Sequence, residues 1–252
     1  MTRRAAVLLV VVLAAPVAAQ NTYRPGRTAD GHPDLTGIWE MRGTANWNLE
    51  GHTGGPGVPA SRSVIVDPPD GKIPYNPASL VKRNAKNPAD DPQAKCFLSG
   101  VPRINYTPGP FQILQNAAMT VFIYQDQHTY RLIPYNRKPM EGYEYWIGSS
   151  QGRWEGDTLV VETISFTDQT WFDKAGNFHS ADMHVTERYS LTGPNTMRYE
   201  ARMEDPNVFT RPWTIRLSAT RHTERGFRLL EDECLMDEKG KLYHTVNAKP
   251  RP

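Results

Sequence analysis

The chain reads as an all-β protein: an antiparallel meander of eight to ten strands closing into a barrel, with a Pro-rich segment wrapped outside it. Three observations predict this. After Pro110, short runs alternate apolar and polar residues with period two. Compact turn signals separate those runs, among them Glu155-Gly156-Asp157, Gly193-Pro194-Asn195 and Lys239-Gly240. Helical periodicity is almost absent, and strands at this spacing argue a barrel or a strongly bent sheet.

The N-terminus predicts a signal peptide over 1–19. Arg3 and Arg4 make a positive start, Ala5 to Ala15 an apolar stretch, and Val17-Ala18-Ala19 a small-residue cleavage site. That stretch is shorter than the roughly 20 apolar residues a membrane span needs, so the expectation is export to a periplasmic or extracellular space with no membrane span. The whole chain has 29 Lys+Arg against 27 Asp+Glu, and cleavage would remove two arginines and balance the charge. No basic run remains to track phosphates, which excludes nucleic acid as a partner.

Residues 20–34 form a polar, Gly/Pro-containing lead-in, and 35–252 a single barrel domain. Gly37-Ile38-Trp39 opens a short first strand. Between Gly51 and Pro110 lie eleven of the 21 prolines, with one strand in SRSVIVD and a short helix over 77–87. This tract is the expected outer wrap (51–110). The strands after it are MTVFIYQ, HTYRLIP, YEYWIG, DTLVVETISF, MHVTERYSL, TMRYEARME, WTIRLSATRH, FRLLEDECLM and LYHTV. In TMRYEARME the residues Met197, Tyr199, Ala201 and Met203 share the inner face; Trp213, Ile215, Leu217 and Ala219 do so in WTIRLSAT.

Only two cysteines exist, Cys96 and Cys234, and in an oxidising compartment the pair predicts a disulfide. Hydrolase elbows, zinc-protease helices, CxxC pairs, phosphate loops and dinucleotide fingerprints do not occur. Chemistry must therefore come from less stereotyped groups. Period two places Glu187 among Val185, Tyr189 and Leu191, and Glu162 beside Val160, Ile164 and Phe166. A carboxylate on an apolar face is paired, hydrogen-bonded or protonated, and such a group serves acid/base chemistry or structure. The loop from Thr167 to His184 gathers Asp168, Trp171, Asp173, His179 and His184. His179 with Asp173 or Glu187 forms the candidate catalytic set. A metal held by His179, His184 and His128 is conceivable, but the spacing of five between His179 and His184 does not favour it. Trp154, Trp171 and Trp213 are candidates to stack on a ligand, and Arg131 and Arg211 to hold a carboxylate, Glu187 included.

The strings DLTGIW, CFLSGVPR, WEGDTLVVETISFTDQTWFD, FHSADMHVTERY and DPNVFTRPW resemble a family of exported bacterial proteins. The resemblance implies a shared fold and site, including Trp154, Asp168, Trp171, Asp173, His179, Glu187 and Trp213, and carries no reaction. Gly37-Ile38-Trp39 and the strand count are also similar to the lipocalin barrels, where the tryptophan helps close the barrel floor. Three functions follow: an exported barrel binding a small, partly apolar ligand in its interior or mouth; a barrel hydrolase, lyase or isomerase; or a structural or assembly module.

Overall fold

The computed structural model describes residues 23–55 and 58–245; the signal-peptide expectation over 1–19 lies outside them. The strands are β1 (Gly37–Met41), β2 (Ile65–Asp67), β3 (Phe111–Gln115), β4 (Met119–Tyr124), β5 (Tyr130–Pro134), β6 (Ser149–Glu155), β7 (Thr158–Ile164), β8 (His184–Gly193), β9 (Thr196–Glu204), β10 (Trp213–Arg221), β11 (Cys234–Met236) and β12 (Leu242–His244). One α-helix, α1 (Pro77–Asn84), is capped by Asn76, whose side chain accepts from the Ser79 amide. No helix among the described residues is long and apolar enough to cross a membrane.

The strands build an antiparallel sheet in the order β5-β4-β3-β1-β10-β9-β8-β7-β6, with β2 added beside β10. The order is a meander whose N-terminal strand closes the gap between β3 and β10. What remains is a seam between β5 and β6, where the sheet is nearly closed into a barrel. Side chains bridge that seam: Arg131 Nε donates to Ser150 Oγ at 3.0 Å, and Gln151 Nε2 to the Tyr135 carbonyl at 3.4 Å.

Alternation explains most of the wall. In β8, Val185, Glu187, Tyr189 and Leu191 are buried; in β9 and β10 the buried residues are those the sequence predicts. Trp39 is fully buried, donates its indole N–H to the Leu35 carbonyl and lies under the guanidinium of Arg221. Aromatic rings fill the interior, with Phe122 against Tyr189 (centroids 5.2 Å apart) and Tyr189 against Tyr199 (5.0 Å).

Three sequence expectations change. Glu162 does not face inward: it is over a third exposed and pairs with Arg153, while Thr163 takes the inner position. The apolar triplet Leu159-Val160-Val161 hides the phase, and pairing of Val161 with Glu187 fixes it. YEYWIG is not a strand. The chain turns there, at Gly148 with φ 68°, and a Cβ at Gly148 would stand 2.5 Å from Thr163 Cγ2 and 2.7 Å from Phe166 Cε1. FRLLEDECLM is irregular except for Cys234–Met236. Conversely, β6 (SSQGRWE) and β3 (FQILQ) are strands beyond the runs expected from alternation. In β6 the inner positions are Ser150 and Gly152 rather than apolar residues, because the Arg131 guanidinium and the Ile133 side chain occupy that space.

The Pro-rich segment does more than lie outside. Its 3-10 turn at Arg103–Asn105 is buried, and Val101, Ile104 and Tyr106 join the barrel core. It plugs the end at which β3, β8 and β10 begin. Cys96 and Cys234 form the expected disulfide across 138 residues, with Cα atoms 5.6 Å apart. In the chain-entropy view a loop that long stabilises by about 5 kcal/mol at most.

Candidate functional site

The barrel interior holds a polar cluster built around Glu187. Its carboxylate accepts from Asn105 Nδ2 (2.8 Å), Tyr189 Oη (2.8 Å) and Tyr199 Oη (2.9 Å), and it pairs with Arg131. Arg131 also donates to Thr163 Oγ1 at 2.7 Å, and Tyr124 Oη donates to Asn105 Oδ1 at 2.8 Å. All of these groups are sealed from water. Burial works against the guanidinium's charge, but the adjacent Glu187 carboxylate raises its pKa above the ordinary value; burial likewise lifts the tyrosines. With its lone pairs occupied and no solvent access, Glu187 holds the seam strand β5 and the plug onto β8.

The other candidates go to separate places. Asp173 is buried in a tight turn of the β7–β8 loop. Its carboxylate accepts from the amides of Leu49, Ala175 and Asn177 and from Asn177 Nδ2 (2.6–3.2 Å). His179 is also buried. Its Nδ1 lies 2.8 Å from the Ser180 carbonyl, which only accepts, so Nδ1 carries the proton and Nε2 accepts from Thr170 Oγ1 at 2.7 Å. Burial pushes its pKa down, so the ring is neutral. His179 hydrogen-bonds neither Asp173 nor Glu187, and the structure assembles no dyad from the three. Asp168 is exposed. Trp171 packs under the Lys86 ammonium, Trp154 stacks on His32, and Trp213 meets Phe172 and Phe209 edge-on in the core. Arg211 pairs with Asp67 on the surface rather than with Glu187. His128 is exposed near Glu233, and His184 starts β8 at the edge of a different cleft; His128, His179 and His184 do not converge.

Asp173 gives a pH signature. Burial pushes its carboxyl up to about 6 despite the four N–H donors. Between the unfolded value of 3.8 and about 6 the native state holds a proton that the unfolded chain has lost. The contribution of this group to stability is therefore highest at low pH and falls as pH rises through that window. Across that window the loss amounts to about 3 kcal/mol. Urea melts of wild type and Asp173→Asn at pH 4 and pH 7 should show the wild-type advantage shrinking by an amount of this order. A difference that stays flat would mean the donors keep the carboxylate ionised throughout.

Open space lies where the plug meets the β7–β8 loop. A cleft of about 540 Å³ is walled by Trp47, Val58, Pro88, Ala89, Ala94 and Ala175, with Lys174 at its edge. The Lys174 amide donates to the Asn46 carbonyl, and its ammonium sits 4.2 Å from the Trp47 ring centroid. Burial and the nearby Arg103 lower its pKa. Asp91, at the cleft floor, is already engaged by Arg103 through both oxygens (2.8 and 2.7 Å). Lys174 and Ala94 also border a second cleft, lined by Gln93, Thr107, Asp126, Asp232 and His244. There, burial raises the Asp126 pKa and Asp232 adds to the rise, against the lowering effect of His244.

Sequence reasoning missed Trp47, Lys174, Asp126, Asp232 and His244. Only Lys174 falls in the loop singled out. Asp232 was within reach, since it stands two residues before Cys234 and the disulfide brings that stretch to Cys96. Comparisons with protein-family models, curated proteins and solved structures find no match to this chain.

Proposed function

We propose that this barrel acts after export as a binder of a small, partly apolar anion, taken up in the cleft between the plug and the β7–β8 loop. The observation that carries the reading is Lys174. Among the described residues, no carboxylate lies within ion-pairing distance of its ammonium, which is instead held over Trp47 at the edge of an apolar cleft. Pockets of about 300–1,000 Å³ with apolar walls and a few placed polar groups are typical small-molecule sites. Trp47 supplies a face for a flat body and Lys174 a counter-charge for an acidic group. The barrel interior, by contrast, is occupied by its own side chains, so the mouth rather than the lumen is the site. The Cys96–Cys234 disulfide supports export, because such bonds persist in oxidising compartments.

The test uses 2-naphthoate and the uncharged 2-naphthamide, titrated against wild type, Lys174→Met and Trp47→Ala by calorimetry. Wild type should favour the carboxylate by about tenfold or more, on the order of a charge-assisted hydrogen bond. Lys174→Met should abolish that preference, and Trp47→Ala should weaken both probes. Affinities unmoved by either substitution would refute the site.

A further inference from the structure

Asp126, Asp232 and His244 come from separate parts of the chain: the β4–β5 turn, the segment before β11, and the end of β12. One ligand atom from each lies within 4.8 Å of the others. Nδ1 of His244 is 3.0 Å from Oδ2 of Asp232. The backbones of Asp126 and Asp232 pair as a parallel bridge, and the disulfide two residues on anchors the arrangement. Both carboxylates are buried, and a bound cation would relieve the repulsion between like charges this close.

A second observation points the same way. Oδ1 of Asp232 and Oε1 of Gln93 are sealed from solvent and have no hydrogen-bond partner among the described residues, and Asp232 and Gln93 line the same cleft of about 400 Å³. Asp232 is 5 % exposed and Gln93 9 %. Buried acceptor oxygens normally find a donor; among the described residues two on one cleft have none, and a bound cation would satisfy them.

We propose that Asp126, Asp232 and His244 bind a divalent first-row transition cation, Zn²⁺ or Mn²⁺, with Gln93 lining the same cleft. Two carboxylates and an imidazole make a mixed oxygen and nitrogen set, which suits these ions better than Ca²⁺ or Mg²⁺, whose sites are all oxygen. Three protein ligands leave coordination positions open to the cleft. The cation ties the hairpin of β11 and β12 to the β4–β5 turn, beside the disulfide. Lys174 borders both clefts, but the cation's ligands are other residues than those that hold the anion, and its test uses another probe.

The experiment takes untagged protein with its disulfide intact, equilibrates it with ZnCl₂ or MnCl₂, and measures bound metal by elemental analysis and affinity by calorimetry. Wild type should retain about one equivalent of one of the two ions. Asp232→Asn and His244→Ala should each weaken binding by at least tenfold, while Glu238→Gln, an exposed acid in the same hairpin, should not. All three variants lie outside the ten-stranded sheet, so far-UV circular dichroism should stay that of the folded barrel. Retention below about a tenth of an equivalent of both ions by wild type, or wild-type affinity in Asp232→Asn and His244→Ala, would overturn the proposal. Neither result would touch naphthoate binding.

Discussion

Glu187→Ala should lower the unfolding free energy by about 3–5 kcal/mol, because it strands a guanidinium in the barrel interior. For a chain of this size that is a fall in the melting midpoint on the order of 10 °C. Arg131 is 1 % exposed and, among the described residues, keeps hydroxyl acceptors such as Ser150 and Thr163 but no carboxylate in ion-pairing distance once Glu187 is gone. It cannot shed its charge. Arg131→Met should cost less. The carboxylate it leaves still has Asn105, Tyr189 and Tyr199 as donors.

The asymmetry is what distinguishes an ion pair from mere packing. The double variant Arg131→Met/Glu187→Leu should recover part of the loss, as apolar replacements of buried pairs commonly do. Recovery is incomplete because Asn105 and the tyrosines lose a partner, and because Arg131 also bridges the β5–β6 seam. Denaturant melts of wild type, Arg131→Met, Glu187→Leu and the double variant close the cycle. A double variant whose loss equals the sum of the singles would mean that Arg131 and Glu187 contribute independently.

Glu187 also shows how far the sequence could be read. Its neighbours at period two are apolar, so its burial was legible, and Arg131 was among the arginines that could meet it. The strands with clean alternation, β8, β9 and β10, were legible for the same reason. Elsewhere the signal failed where one inner residue compensates for another. Ser150 and Gly152 look like a loop because they make room for Arg131 and Ile133 on the facing strand. Tyr130 and Leu132 face outward and are half exposed or more, while the arginine between them faces inward, an inversion that only the distant Glu187 explains. The clefts were less legible still. Asp126 and His244 are far apart in sequence, with no spacing motif between them, and Trp47 meets Lys174 only because the segment after β1 packs against the β7–β8 loop.

Asp91→Ala should destabilise by a comparable 3–5 kcal/mol, and its effect should be coupled to the barrel interior. Arg103 and Asp91 are each about 1 % exposed. Arg103 gives two donors to Asp91 and its Nε to Asn46 Oδ1 at 2.9 Å, so removing the carboxylate leaves a second guanidinium buried without its counter-charge. Asp91 additionally caps the 3-10 turn Pro92–Lys95 by accepting from the Gln93 amide. Two residues after Arg103, on the same three-residue turn, Asn105 reaches Glu187 and Tyr124. The turn thus carries one buried network on the plug and enters another inside the barrel. If loss of Asp91 loosens the plug, Asn105 no longer reaches Glu187, and Asn105→Ala should then cost less in the Asp91→Ala background than in wild type, by on the order of 0.5–3 kcal/mol. Urea melts of the single and double variants measure it. Strict additivity would mean that the plug and the barrel interior are separate stability units, and that the buried pair at Asp91 serves the cleft wall alone.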